Sequence, residues 1–409
     1  MNIEALWEWP ADSGPALLLI GATVLVLGAL GGELVARTTR LSRVVGYTGV
    51  GALAAALGHG VAVPWQGVPA MVADAALGLL LFDIGSRVHL RWLARNPGLL
   101  ASSVAEAALA AAAVGAALLA LGVDADVAAA CAVLAVPGSA AVSGRVAHDL
   151  GADGQVTRRI ALLTALNTLY AVLGVTLLQI GWAAGRAPEP LPALAGLAQS
   201  FFGSLLIAAV LALAIAVTAR RLDMRHESTV LLLLGLVVAA IALGRHVGLS
   251  TLLVPLLAGL LLRNATERAW VWPRQFGTAG GALLLLLFVM VGASWSPQAL
   301  ATGGVAALAL VAARALAKSV ALIGLAPWAR ASLRQGVALS IASMPLSATA
   351  LVLLGALAQV APEPAREALP IIVTSVAVLE LLGPLAAQWA LRLAGEVDRK
   401  VRPGEGFQR

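Results

Sequence analysis

The chain has 409 residues, 60% of them hydrophobic and 12% charged, with a mean hydropathy of +0.92 and a formal net charge of +6. So few polar residues cannot cover a water-soluble globule, and the composition is that of an all-α, polytopic membrane protein. The positive charge is not a nucleic-acid patch, because the basic residues are scattered between apolar runs with few aromatics among them; no nucleic-acid partner is expected.

The opening stretch MNIEALWEWPADSGP is acidic where a secretory signal would be basic, and the apolar run after it is longer than a typical signal core. The first helix is therefore expected to be retained. Runs long enough to cross a bilayer of about 30 Å, roughly 20 residues each, recur along the chain. Thirteen are read, at 15–36, 44–63, 70–93, 98–122, 126–148, 157–182, 198–220, 228–246, 249–263, 276–295, 300–325, 335–360 and 370–394. Assigning the loops to alternate sides puts 22 of the 27 Lys and Arg residues on one side and 3 (Arg186, Arg245, Arg366) on the other, with Arg314 and Lys318 inside the eleventh span. Cytoplasmic loops are enriched in these residues, so the amino terminus is placed outside and the carboxyl terminus in the cytoplasm, in the cell (inner) membrane. Residues 1–395 are read as one transmembrane domain, and 396–409 as a cytoplasmic tail too short for a nucleotide-binding module.

Glu33, His59 and Asp74 lie near span ends, where interfacial roles suffice. Gly49 to Gly51, GVG, lies inside the second span with no strand before it, so it is read as helix packing by small residues rather than a dinucleotide loop. Asp83 and Arg87 are four residues apart at the end of the third span and are expected to form a local ion pair. Glu106 is an intramembrane acid in the fourth span. Cys131, the single cysteine, falls in the apolar fifth span and reads as a buried thiol, with no disulfide, metal cluster or cofactor implied.

The fifth span is interrupted by AVPGSAAV, Ala135 to Val142, and the twelfth by a near copy, SMPLSATAL, Ser343 to Leu351. Pro137 to Pro345 is an offset of 345 minus 137, or 208; Gly51 to Gly259 repeats it, and Phe82 to Phe288 gives 206. Such an offset moves each element by seven spans, an odd number, so the second copy is inverted. Repeats of spans 1–6 and 8–13, joined by span 7, with interrupted helices at matching positions point to a secondary transporter whose binding site lies at the midplane.

Proline removes a backbone donor and clashes with the preceding turn, while Gly138 adds freedom. Ser139 and Ser347 are placed to cap the restarted half-helices. Two crossing broken helices bring negative and positive helix ends together, which charged side chains should answer. Arg314 and Lys318, one turn apart, are the candidates for the negative ends; Glu106 and Glu380, in VLELLGP of the thirteenth span, are those for the positive ends. Glu380 reads either as functional or as a structural ion pair with Lys318 or Arg314.

The stretches RVVGYTGVGALAAALG (Arg43 to Gly58), LGLLLFDIGSRVHLRWL (Leu77 to Leu93), LSTLLVPLLAGLLLRN (Leu249 to Asn264) and LFVMVGASWSP (Leu287 to Pro297) resemble the monovalent cation:proton antiporters of the CPA2 superfamily. These include the bacterial sodium/proton exchangers and the membrane domain of potassium-efflux antiporters. The resemblance runs from about residue 15 to 395. It implies thirteen helices in two inverted repeats, a homodimer formed through spans 1–3 and 8–10, and a moving core of spans 4–6 and 11–13. It also implies an Asn-Asp, Gln-Asp or Asp-Asp pair on the sixth span. Here that stretch is TALNTLYAV: Asn167 matches the first position and Thr168, which cannot titrate, stands where the acid belongs. The twelfth span, MPLSATALVLL, likewise lacks the Glu of the potassium-efflux branch's GGEFAF.

Coupling a cation to a proton needs a buried acid that binds one or the other. Three readings follow. The chain is a sodium or potassium:proton antiporter in which Glu380, or else Glu106, has taken over opposite Lys318 or Arg314; it carries another solute or an anion drawn by an uncompensated basic pair; or it keeps the fold without coupling. An enzyme is not expected, because HExxH, P-loop and CxxC motifs and a nucleophile-base pair are all missing from the sequence.

Overall fold

The computed structural model of the chain describes residues 14–39, 43–59, 67–186, 190–221, 227–249, 251–265, 274–293, 297–347, 349–358 and 360–397. The amino-terminal segment read as acidic, the side chain of His59 and most of the basic tail lie outside these described residues. In chain order the helices are α1 (Gly14–Thr39), α2 (Arg43–Ala54, continued by a π-helical turn Ala55–His59), α3 (Gly67–Arg87), α4 (Leu90–Ala94) and α5 (Pro97–Ala120). Then come α6 (Ala125–Leu134), α7 (Ala140–Asp149), α8 (Gln155–Arg186), α9 (Pro190–Arg221), α10 (Glu227–His246) and α11 (Leu253–Ala265). The chain continues with α12 (Arg274–Ala293), α13 (Pro297–Gly324), α14 (Leu333–Ala342), α15 (Thr349–Ala358) and α16 (Pro362–Ala394).

A helix or an interrupted pair lies on each of the apolar stretches read from the sequence. Five helices are long and apolar enough to cross a membrane by themselves, and the bent α16 makes a sixth. The interrupted stretches fail that test for a geometric reason. Each of α6, α7, α14 and α15 has 10 residues, or about 15 Å at 1.5 Å per residue, half a bilayer. Two helices are longer than expected at their amino-terminal ends. In α16 Pro362 opens the helix, where its missing N–H costs nothing, while Pro370 and Pro384 lie inside it and accompany its bend.

The helices pack in two groups. One contains α1, α2, α3, α9, α10, α11 and α12, held by the α3/α11, α2/α12 and α9/α11 contacts; the other contains α5, α6, α7, α8 and α13 to α16, held by α5/α13 and α13/α16. Outward faces carry apolar side chains such as Leu30, Leu206, Leu213, Leu308 and Leu316, each more than 60% exposed, as lipid-facing residues should be.

The first group is drawn together by glycines at two reciprocal crossings. A Cβ at Gly51 would strike the Val289 carbonyl and one at Gly292 the Thr48 carbonyl; a Cβ at Gly259 would strike the Phe82 carbonyl and one at Gly85 the Leu256 carbonyl. Gly51 and Gly259, like Thr48 and Leu256, differ by 208; Gly85 and Gly292, like Phe82 and Val289, differ by 207. The contacts therefore match Phe82 to Val289, not to Phe288 as the residue types suggest. Small residues let helix backbones approach where lipid offers no hydrophobic drive. Gly51 does this, but Gly49 of the same GVG has nothing within 4 Å of a Cβ.

The end of α16 is fastened to the start of α8. Gly395, at φ 76°, turns the chain in a left-handed cap. The Glu396 carboxylate then accepts from the backbone N–H groups of Val156 (2.6 Å) and Thr157 (2.8 Å) and from the Thr157 hydroxyl (2.8 Å). An acid at a helix amino terminus satisfies free donors and complements the dipole.

Packing by backbone contact makes a sharp prediction. Gly51→Val and Gly259→Val should each destabilise the protein by about 1–3 kcal/mol or more, through overpacking that backbone cannot relieve, whereas Gly49→Ala should leave the melting temperature unchanged. Thermal denaturation of the purified variants checks this; equal melting temperatures for all three would contradict the packing.

Candidate ion-binding site

The two breaks meet. Gly138 and Leu346 form an isolated antiparallel bridge, and the Ser139 N–H donates to the Pro345 carbonyl at 3.0 Å. The restarted half-helices are capped as the sequence suggested: the Ser139 hydroxyl accepts from the Val142 N–H (3.2 Å) and the Ser347 hydroxyl from the Thr349 N–H (3.1 Å).

On α13, buried positions Ala307, Leu310, Arg314, Ala317, Lys318 and Ala321 make one stripe at helical spacing, so Arg314 and Lys318 share a face; both are 0% exposed. Arg314 answers the carbonyls left by both breaks. Its Nε donates to Ala135 (2.7 Å), its Nη1 to Met344 (2.5 Å), and its Nη2 to Pro137 (3.2 Å), Ser343 (3.2 Å) and Pro345 (3.4 Å). Ala135 and Ser343, like Pro137 and Pro345, are related by the 208-residue offset, so one guanidinium reads the same positions on the two broken segments. The planar fork of five donors makes this possible.

Lys318 does not share that task. Its Nζ donates to Glu106 Oε1 at 2.5 Å, and Asn167 Nδ2 donates to the same oxygen at 2.5 Å. Glu106 is 0% exposed on the buried face of α5, with Ser103, Ala107, Ala110 and Val114. Asn167 is 1% exposed on α8. Glu106 Oε2 and Asn167 Oδ1 are buried with no hydrogen-bond partner. Thr168, 0% exposed, donates back to the Thr164 carbonyl of its own helix at 2.9 Å. Thr164 in turn packs at Gly138, where a Cβ would stand 3.4 Å from its side chain. One turn from Glu106, Ser103 donates to the Tyr170 hydroxyl at 3.3 Å.

Glu380, 3% exposed, is elsewhere. It sits beside Thr48 of α2, and its Oε1 has no hydrogen-bond partner. The expected pairing of Glu380 with Lys318 or Arg314 is therefore corrected: Lys318 is taken by Glu106 and Arg314 by carbonyls. The second correction concerns Lys318, which answers an acid rather than the negative helix ends. Spacing along a helix fixes which residues share a face, but not which of several helices that face meets. Of the peripheral acids, Asp83 pairs with Arg87 (2.7 Å) as expected, Glu33 with Arg37 and Arg43, and Asp74 with Arg245. Cys131 is buried and free.

Two broken helices crossing inside a helical membrane bundle, with a buried acid, amide and ammonium beside them, define a secondary ion transporter. Residues 22–393 match the transmembrane sodium/hydrogen exchanger family, and the chain belongs to it. Members of that family are transporters rather than enzymes, and cation:proton antiport is the activity that membership assigns. The fold is similar to that of the sodium/proton antiporter MjNhaP1 of Methanocaldococcus jannaschii, solved at pH 8. The TM-score is 0.70 at 16% identity, over 93% of this chain and 98% of that one. A second structure, from an electron-microscopy map of the same antiporter, gives 0.65 at 14% identity, over 96% and 100%. No curated protein matches by sequence.

Replacing Arg314 by Leu takes the guanidinium away from five carbonyls at the crossing, of which Pro345 alone keeps the Ser139 N–H named above. We expect a loss of about 3 kcal/mol or more, as for breaking a buried charged network, seen as a large fall in melting temperature. Arg314→Lys should restore little, since one ammonium cannot span both breaks; wild-type stability in either variant would contradict the role.

Proposed function

We propose that the chain exchanges a monovalent cation, sodium or potassium, for protons by alternating access, and that Glu106 is the carboxylate for which the two ions compete. The observation that carries this is the pair of buried, unpartnered oxygens, Glu106 Oε2 and Asn167 Oδ1, set beside Lys318. Unpaired buried polar atoms are costly, so their presence marks a place for a ligand. Oxygen donors suit a hard cation. A proton on Oε2 removes the charge that would hold that cation, which is the competition antiport requires.

Lys318 supports this role. With the carboxylate ionised and no cation bound, the ammonium on Oε1 keeps the site neutral in a dry interior. Asn167 orients the carboxylate, and Thr168, in the place where the family's acid is expected, adds a hydroxyl oxygen but no charge. The anion reading required an uncompensated basic pair; Arg314 is saturated by carbonyls and Lys318 is paired, so its motive is gone.

The alternating movement would be that of the group containing the crossing against the group drawn together by glycines, the latter meeting a second copy of the chain in a homodimer. Support for inverted repeats comes from the shared offsets of the glycine crossings and of the Arg314 carbonyls. The bias of basic residues supports an amino terminus outside and a carboxyl terminus in the cytoplasm of the cell membrane.

The test is proton flux in proteoliposomes driven by a sodium or a potassium gradient. Glu106→Gln should lower it about a hundredfold or more, the scale on which loss of an essential acid-base group acts. Flux retained in Glu106→Gln would sink the assignment, and anion-driven currents with no response to either cation would favour the rival.

A further inference from the structure

Glu380 is the buried acid that the exchange site does not use. It lies on α16, whose main packing partners are α13, α14, α15, α6 and α7, yet it sits beside Thr48 of α2, a helix packed chiefly on α12 and α1. Both ends of this link are rigidly held. Three residues beyond Glu380, a Cβ at Gly383 would stand 2.9 Å from Pro345 at the break, and the Thr48 carbonyl is pressed against Gly292. The contact thus links the crossing to the glycine-packed group.

No basic group compensates Glu380 among the described residues. On α13, Arg314 turns to the carbonyls and Lys318 to Glu106. On α14, Arg334 donates to the Leu393 carbonyl; on α6, Asp126 accepts from Trp182 and Cys131 is uncharged; α15 carries no titratable residue. On α8, Arg158 pairs with Asp153, Arg159 donates to the Arg330 carbonyl and Tyr170 meets Ser103. On α2, Arg43 pairs with Glu33 and Tyr47 packs at Gly32 of α1. The side chains of Arg145, His148 and Asp149 on α7 are outside the described set. On α16 itself, Glu363 and Arg366 pair with each other at the far end.

We propose that Glu380 is a second proton-binding site, distinct from the Glu106 cluster, which holds its proton while the α2/α16 contact is closed and releases it when water enters that contact. A buried carboxylate with an orphaned Oε1 and no cation is not tolerated dry, so closure selects the neutral acid. Opening exposes the group to water and lets it ionise. The proton is simply bound and released at the carboxyl, with no other bond changed. The site rests on its own geometry and not on the role given to Glu106.

Infrared difference spectra of the purified protein across a pH titration test this directly, because they need no transport. The carbonyl stretch of a protonated, buried carboxylic acid should be present in wild type and in Glu106→Gln, and one such component should disappear in Glu380→Gln. In proteoliposomes, cation-driven proton flux is expected to decline at alkaline pH in wild type and to lose that dependence in Glu380→Gln, a permanent mimic of the neutral acid. Thr48→Val should shift the infrared component without abolishing it. An unchanged carbonyl band in Glu380→Gln overturns the proposal, whatever the fate of exchange in Glu106→Gln.

Discussion

The structure depends on a guanidinium solving the problem that the two broken helices create. Inside a bilayer every backbone carbonyl needs a partner, and a helix interrupted by proline leaves carbonyls without one. Arg314 supplies donors to Ala135 and Pro137 on one chain segment and to Ser343, Met344 and Pro345 on the other. The breaks can therefore lie against each other at membrane depth and pair through Gly138 and Leu346. Because Arg314 is fixed from both sides, α13 is fixed too, and with it Lys318, one turn further on the same buried stripe. The position of the ammonium that meets Glu106 is a consequence of the way the carbonyls are satisfied.

The two intramembrane acids then differ by environment rather than by chemistry. Glu106 has an ammonium and an amide on one oxygen and leaves the other open, so it can remain ionised in a closed protein. Glu380 has Thr48 beside it and no compensating cation among the described residues. One suits a group that trades a proton for a cation; the other suits a group whose ionisation is tied to access by water. The absence of an acid at position 168 is compatible with coupling on these terms, because the charge has been supplied from α5 instead of α8.

Much of the fold was legible in the sequence, because interrupted apolar runs, small residues and basic-loop asymmetry are one-dimensional signals. The prolines located the crossing, the serines behind them located the caps, and the four-residue spacing of Arg314 and Lys318 placed both on one face. The pairing of Lys318 was not legible. Glu380 drew the first assignment because it is central in its apolar run, but centrality reports depth and says nothing about direction around the helix axis. Glu106, the other candidate, carries a signal that Glu380 lacks: Ser103, Ala107, Ala110 and Val114 share its face, and such small side chains admit a neighbouring helix closely enough for a lysine to reach the acid. The Thr48 neighbour of Glu380 could not be anticipated, since threonines on membrane helices usually bond their own backbone, as Thr168 and Thr176 do here.

Charge accounting connects these sites to the stoichiometry of exchange. The carboxyl ends of α6 and α14 each present about half a negative elementary charge at the crossing, and together they offset the positive charge of Arg314. The amino ends of α7 and α15 are met by the hydroxyls of Ser139 and Ser347, so no carboxylate is drawn to them. What remains is Lys318 with Glu106. Binding of either a proton or a monovalent cation to Glu106 Oε2 would leave this pair with the same net charge of one, so exchange at the proposed site would be one for one and move no net charge. Glu380, neutral whenever its contact is closed, makes the same contribution on both legs of the cycle and leaves that balance unchanged.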